Sequence, residues 1–206
     1  MLSIITNFGC DEGCLYCVWK KHLLENVKTT VESTDWTKLE SLLRGEKRIS
    51  VSGGGDPLFQ LDKNIDWWNR LFAITDAQGI DVDLHTAKIA PVEFADKFAK
   101  YVWHITDLSA VDKLSLMASY SVPLRMAIVA SPEITKAEYL ALALLAFLRG
   151  ASLSVRQLVV DQKPVEIEAD FLKTEKGWKY IQQNDYNTYF MPDNNVYDVF
   201  LMKERK

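Results

Sequence analysis

Thiol sulfur is confined to one end of this chain: beyond residue 17 there is no cysteine at all. Cys10, Cys14 and Cys17 all fall within "GCDEGCLYCVW". An odd, clustered set excludes the paired framework of a disulfide-stapled secreted domain. Long apolar runs are missing too. The longest, "YLALALLAFL" (Tyr139–Leu148), has ten residues and suits a buried helix rather than a membrane span. The opening "MLSIITNFGC" lacks the basic start and apolar stretch of a signal peptide, so a reducing, cytoplasmic setting is expected. There is no excess of positive charge, and a net charge of −4 gives no bulk attraction for nucleic acid or anionic membrane. No Pro/Ser-rich linker or internal repeat divides the 206 residues, so one well-buried domain is expected.

What is present is an alternation of strand-like and helix-like patterns. β-branched, apolar segments at Leu2–Phe8, Arg48–Gly55, Ile80–Ala87, Val102–Ser109, Pro123–Ala130 and Ser152–Asp161 read as strands. Between them, Asp35–Gly45, Asn64–Gly79, Pro91–Tyr101 and Thr135–Leu148 have apolar residues at helical spacing, with a weaker helix at Val111–Tyr120. Trp36, Trp67 and Trp68 fall on helix positions facing the strands, as core residues do. Short apolar strands alternating with crossover helices imply a parallel sheet. Eight such units need about 250 residues, so six fit this length and predict a partial parallel (β/α)6 barrel over residues 1–161. Residues 162–206 break the rhythm. They read as an extension packed on the barrel, with a helix around Thr174–Gln183 and a hairpin, "YNTYFM" and "VYDVFLM", turning at "PDNN".

Chemistry in parallel α/β sheets sits at the carboxyl ends of the strands, where the cysteine loop follows the first strand. Three readings compete for it. Buried, inert thiols are common in cores, but an exclusive cluster flanked by Gly9, Gly13 and two acids argues otherwise. A structural zinc site wants four ligands; His22 is the only nearby fourth, giving a Cys₃His interaction module without the usual double-knuckle spacing. An iron–sulfur cube held by three thiolates leaves one iron open to another ligand, and the lack of a fourth cysteine is what that requires. The open cluster accounts best for the pattern.

A second feature lies at the end of the second strand, "SVSGGGDPLFQ", with Gly53, Gly54, Gly55, Asp56 and Pro57 in a row. Each glycine in a strand costs about 0.5–1 kcal/mol relative to alanine, so three imply a backbone that must come very close to a ligand, with its amide and carbonyl groups exposed. No GxGxxG follows the strand and no Gly-Lys-Ser/Thr follows the glycines, which excludes the two best-known phosphate loops.

"C-DEG-C-LY-C" resembles the CxxxCxΦC signature of the radical S-adenosylmethionine (SAM) superfamily, with Tyr16 as the aromatic Φ, and "GGDP" resembles that family's GGE motif. The departure is Asp56 where glutamate is usual. The resemblance implies that Cys10, Cys14 and Cys17 hold a [4Fe–4S] cluster whose fourth iron is chelated by SAM, and that a 5′-deoxyadenosyl radical is generated. It further implies that Tyr16 packs near the adenine, that Gly53–Asp56 meet the methionyl amine and that Asp107 lies in the ribose-binding region. A flavodoxin- or ferredoxin-like electron donor is the implied partner. The glycine-rich motif usual after the fifth strand is not recognisable in "VASPEIT".

The substrate pocket is expected to draw on His85, His104, Arg125 and Arg156, because charged or polar groups in apolar strands are rarely there without a partner. Two cations suit a small anionic or nucleotide-like molecule. Activation of a glycyl-radical partner protein is the alternative within the family.

Overall fold

The computed structural model describes residues 1–14, 17, 27–106, 108–130, 135–160, 163–164, 178–181 and 187–198. Six strands recur in the predicted order: β1 Leu2–Thr6, β2 Arg48–Gly53, β3 Asp81–Thr86, β4 Lys100–Ile105, β5 Leu124–Ala130 and β6 Ser152–Gln157. Helices alternate with them: α1 Trp36–Leu43, α2 Leu61–Gln78, α3 Val92–Ala95 and α4 Lys136–Leu148, with a 3₁₀ helix at Leu108–Met117. Short strands complete the chain: β7 Val159–Val160, β8 Lys163–Pro164, β9 Trp178–Ile181, β10 Thr188–Phe190 and β11 Val196–Tyr197. This is a mixed α/β fold built on parallel strands, as the alternation predicts.

The helix ends follow local chemistry. Asp35 caps α1, its Oδ1 accepting from the Lys38 amide at 3.0 Å. Gly79 ends α2 in the left-handed region (φ 65°), where glycine carries no Cβ penalty. Thr135 and Glu138 form a reciprocal capping box at the start of α4.

The chain groups into two compact units. The first comprises Met1–Asp11, Cys17–Lys88 and Asp185–Lys206. Its strands run in the order β11-β10-β1-β2-β3. β1 pairs in parallel with β2 on one side and with β10 on the other, and β11 folds back antiparallel on β10. Ile4, Ile49, Val51 and Leu84 are buried in this sheet. The alternate positions are polar: Ser3 Oγ meets Ser50 Oγ at 2.6 Å, and Arg48 Nε lies 3.4 Å from Asp83 Oδ1.

The second unit comprises Glu12–Tyr16 and Ile89–Asn184, with strand order β4-β5-β6-β9. All three pairings are parallel. Trp103, Met126, Ile128 and Val155 are buried, while His104, Ala127 and Ser154 lie side by side in the register.

Three predicted elements need correction. The helix expected over Pro91–Tyr101 stops at Ala95, because Lys100 already belongs to β4 and Tyr101 pairs with Leu124. Of the helix expected around Thr174–Gln183, the described part, Trp178–Ile181, is a strand paired in parallel with β6, and the rest lies outside the described residues. The run Tyr139–Leu148 is helical but buried only at Tyr139, Leu142 and Ala146; Phe147 is 78% exposed and Leu148 67%. The predicted hairpin turning at residues 192–195 is present as β10 and β11. Asn194 in its turn accepts from the Asp35 amide through Oδ1 at 2.8 Å and donates to the Ser33 carbonyl at 2.8 Å.

Candidate functional site

β1 ends at Thr6, and the cysteine loop leaves from Asn7, which is buried. Asn7 holds the two feet of that loop together. Its amide donates to Thr29 Oγ1 (2.8 Å), its carboxamide to the Val27 carbonyl (2.8 Å), and its carbonyl accepts from the Thr29 amide (2.9 Å). Spacing gave no signal for this asparagine, because its partners lie about twenty residues away.

The three glycines make a turn folded tightly on itself and on the loop. A Cβ on Gly53 would lie 2.0 Å from the Gly55 carbonyl oxygen, and one on Gly55 would lie 2.3 Å from the Gly9 carbonyl oxygen. Both contacts are with backbone and cannot yield cheaply. The Gly54 amide donates to the Thr6 carbonyl at 2.7 Å, and the Asp56 amide donates to the Gly9 carbonyl at 2.9 Å. The residue before Cys10 is thus hydrogen-bonded to the glycine turn.

Asp56 is 4% exposed, and its carboxylate faces donors on both oxygens. Oδ1 accepts from the Leu58 amide (2.8 Å) and Thr86 Oγ1 (2.7 Å), while Oδ2 accepts from Thr86 Oγ1 (2.9 Å) and the Ala87 amide (2.8 Å). Burial pushes its pKa up, opposed by these hydrogen bonds and, least, by the charge of Lys88. Lys88 Nζ itself pairs with Asp11 of the cysteine loop at 2.5 Å and lies 5.8 Å from the Phe59 ring centroid. His85 is the half-buried penultimate residue of β3.

In the second unit, His104, Arg125 and Arg156 occupy the same alternation of neighbouring strands, through the pairs His104–Ala127, Arg125–Ser152 and Val129–Arg156. The rows differ. Arg125 is the second residue of β5, its Nε 3.4 Å from Ser152 Oγ, and Arg156 is the penultimate residue of β6. Four residues of strand, about 13 Å, separate their rows, so the register does not bring the two arginines together. Just past β4, Thr106 Oγ1 donates to Glu12 of the cysteine loop at 3.4 Å. Tyr16 and Asp107 lie outside the described residues.

None of the three cysteines forms a disulfide, and each is half-buried. Among the described residues no three His, Cys, Asp or Glu side chains converge as a metal site. In its chemistry the donor set fits an open iron–sulfur cluster: three thiols on one loop, with the Gly9 carbonyl at its start bonded to a glycine turn.

No protein-family model matches the chain, and no curated protein matches its sequence. Solved structures do. SuiB of Streptococcus suis with S-adenosylmethionine bound superposes with a TM-score of 0.69 at 12% identity, covering 100% of this chain and 61% of SuiB. The fold is similar to that of the matched part of SuiB. SuiB bound to the precursor peptide SuiA matches at a TM-score of 0.68 and 11% identity, over 96% of this chain and 58% of that one. The chain spans about 61% of SuiB's length.

Proposed function

We propose that this chain is a radical SAM enzyme. The observation that carries the reading is the bond from the Asp56 amide to the Gly9 carbonyl, which links the GGDP turn to the residue before Cys10. Two motifs resembling those of one family thus adjoin at the ends of β1 and β2, in a fold shared with a protein solved with SAM bound.

In this reading Cys10, Cys14 and Cys17 would hold a [4Fe–4S] cluster and Gly53–Asp56 would meet SAM, with Tyr16 and Asp107 as the further candidates for its adenine and ribose. When bound, the cluster supplies the electron that cleaves SAM to methionine and a 5′-deoxyadenosyl radical. The chain's own residues shape the loop: Asn7 joins its feet, and Asp11 pairs with Lys88. In the second unit His104 and Arg156, each penultimate in its strand, are the residues offered to substrate, and in the first unit His85 is; Arg125, at the start of β5, is left to the scaffold. A small anionic molecule suits Arg156. The precursor peptide seen on SuiB favours a second reading, in which the substrate is a peptide. The electron donor is of flavodoxin or ferredoxin type, and the setting is cytoplasmic; no described helix is long and apolar enough to cross a membrane.

Anaerobic reconstitution tests the proposal. The wild type is expected to take up about four irons per chain, and Cys14→Ala to lose them. A colourless protein carrying one tetrahedral zinc overturns it in favour of the Cys₃His module. Release of 5′-deoxyadenosine with short peptides, compared with pools of small anions, separates the two substrate classes.

A further inference from the structure

Asp56 stands where the resembling family has glutamate, and its surroundings give it a different task. An ionised carboxylate offers about four lone-pair positions. Here they face two amides and one hydroxyl shared between both oxygens. Two of those donors, Thr86 and Ala87, belong to the end of β3, thirty residues on. An ammonium group reaching this carboxylate would have to displace a donor from a nearly fully buried site. Glutamate, one methylene longer, would carry its carboxylate past the Thr86 hydroxyl. Meanwhile the amide of the same residue holds the Gly9 carbonyl, one residue before Cys10.

We propose that Asp56 is a positioning residue: its carboxylate clamps the end of β3 to the Gly53–Pro57 turn, and through that turn it sets the backbone that meets SAM. This deepens the SAM-binding reading above and rests on it. The clamp acts through Thr86, so removing the Thr86 hydroxyl loosens the turn even though Asp56 is intact. A carboxylate that itself gripped SAM would respond in the opposite way, since losing Thr86 would release it toward the ligand.

Thr86→Val, Thr86→Ser and the wild type are to be compared in two measurements. In the cluster-free protein, amide hydrogen exchange at Leu58 and Ala87 is expected to be about tenfold faster in Thr86→Val and near wild type in Thr86→Ser. In reconstituted protein with full iron content, the Kd for SAM by equilibrium dialysis is expected to weaken about tenfold in Thr86→Val and recover in Thr86→Ser. Unchanged exchange, or unchanged or tighter SAM binding by Thr86→Val, overturns the clamp. If iron-loaded wild type binds no SAM, the functional reading fails, while the exchange measurement still judges the clamp. Should Thr86→Val fail to fold, Asp56→Asn serves in its place, because it sets an NH₂ group against the Ala87 amide.

Discussion

Helices α2 and α4 are both rich in apolar residues, yet they are held by different forces. α2 buries Trp67, Trp68, Leu71 and Phe72 along one face. Its rings form a chain, Phe8–Trp67 at 5.4 Å, Trp67–Trp68 at 5.2 Å and Trp68–Phe72 at 5.7 Å, with Trp36 joining at 5.7 Å from Trp67. The indole nitrogens are satisfied as well: Trp67 donates to Thr34 Oγ1 and Trp68 to the Pro57 carbonyl. α4 buries only Tyr139, Leu142 and Ala146, and exposes Leu140, Leu144, Phe147 and Leu148. Packing fixes α2 in place, whereas α4 leans on its own leucine- and alanine-rich propensity and on its capping box. Propensity, caps and packing set whether a helix forms; the arrangement of its apolar residues sets how much of them is covered.

The largest effect is expected where packing rules. Trp68→Ala leaves a cavity under the Pro57 carbonyl and should cost roughly 3–5 kcal/mol in denaturant unfolding. A loss below about 1 kcal/mol would show that the aromatic chain is not what holds α2. An intermediate effect sharpens the other side of the contrast. Thr135→Ala removes the cap of α4 and should cost about 1 kcal/mol. The smallest belongs to the exposed stripe, where Leu144→Gln should change stability by no more than about 0.5 kcal/mol. A loss of 2 kcal/mol there would break the comparison, because it would mean that the stripe is covered in solution.

Much of the fold was legible because strand and helix periods differ and the chain alternates them cleanly, from Leu2–Thr6 to Ser152–Gln157. Two of the misreadings share one cause. Residues 97–101 continue a helical pattern, and only the pairing of Tyr101 with Leu124 makes them enter a strand. Trp178–Ile181 likewise carries no local mark separating helix from strand; the free edge of β6 decides. The cysteines could be picked out as a candidate ligand set because ligand spacing is local. The glycines were read as a close approach to a ligand, whereas the approach in the structure is to the chain's own Gly9 and Gly55 carbonyls. Asn7 with Val27, and Asp56 with Thr86, were hidden because such pairs exist only once the strands are side by side. Period two also hid something within the strands: Ser3, Ser50 and Asp83 share an alternation that the apolar reading of those segments passed over.

The parallel pairing of β10 with β1, Leu2 with Thr188 and Ile4 with Phe190, also has a bearing on how the protein is made. A ribosome delivers β1 long before β10. Throughout that interval one flank of β1 offers bare amides and carbonyls to any neighbouring chain. Contacts so distant in sequence are also slow to form. Until β10 is made, β1 therefore waits half-paired, and anything that covers that flank in the meantime protects it from mispairing.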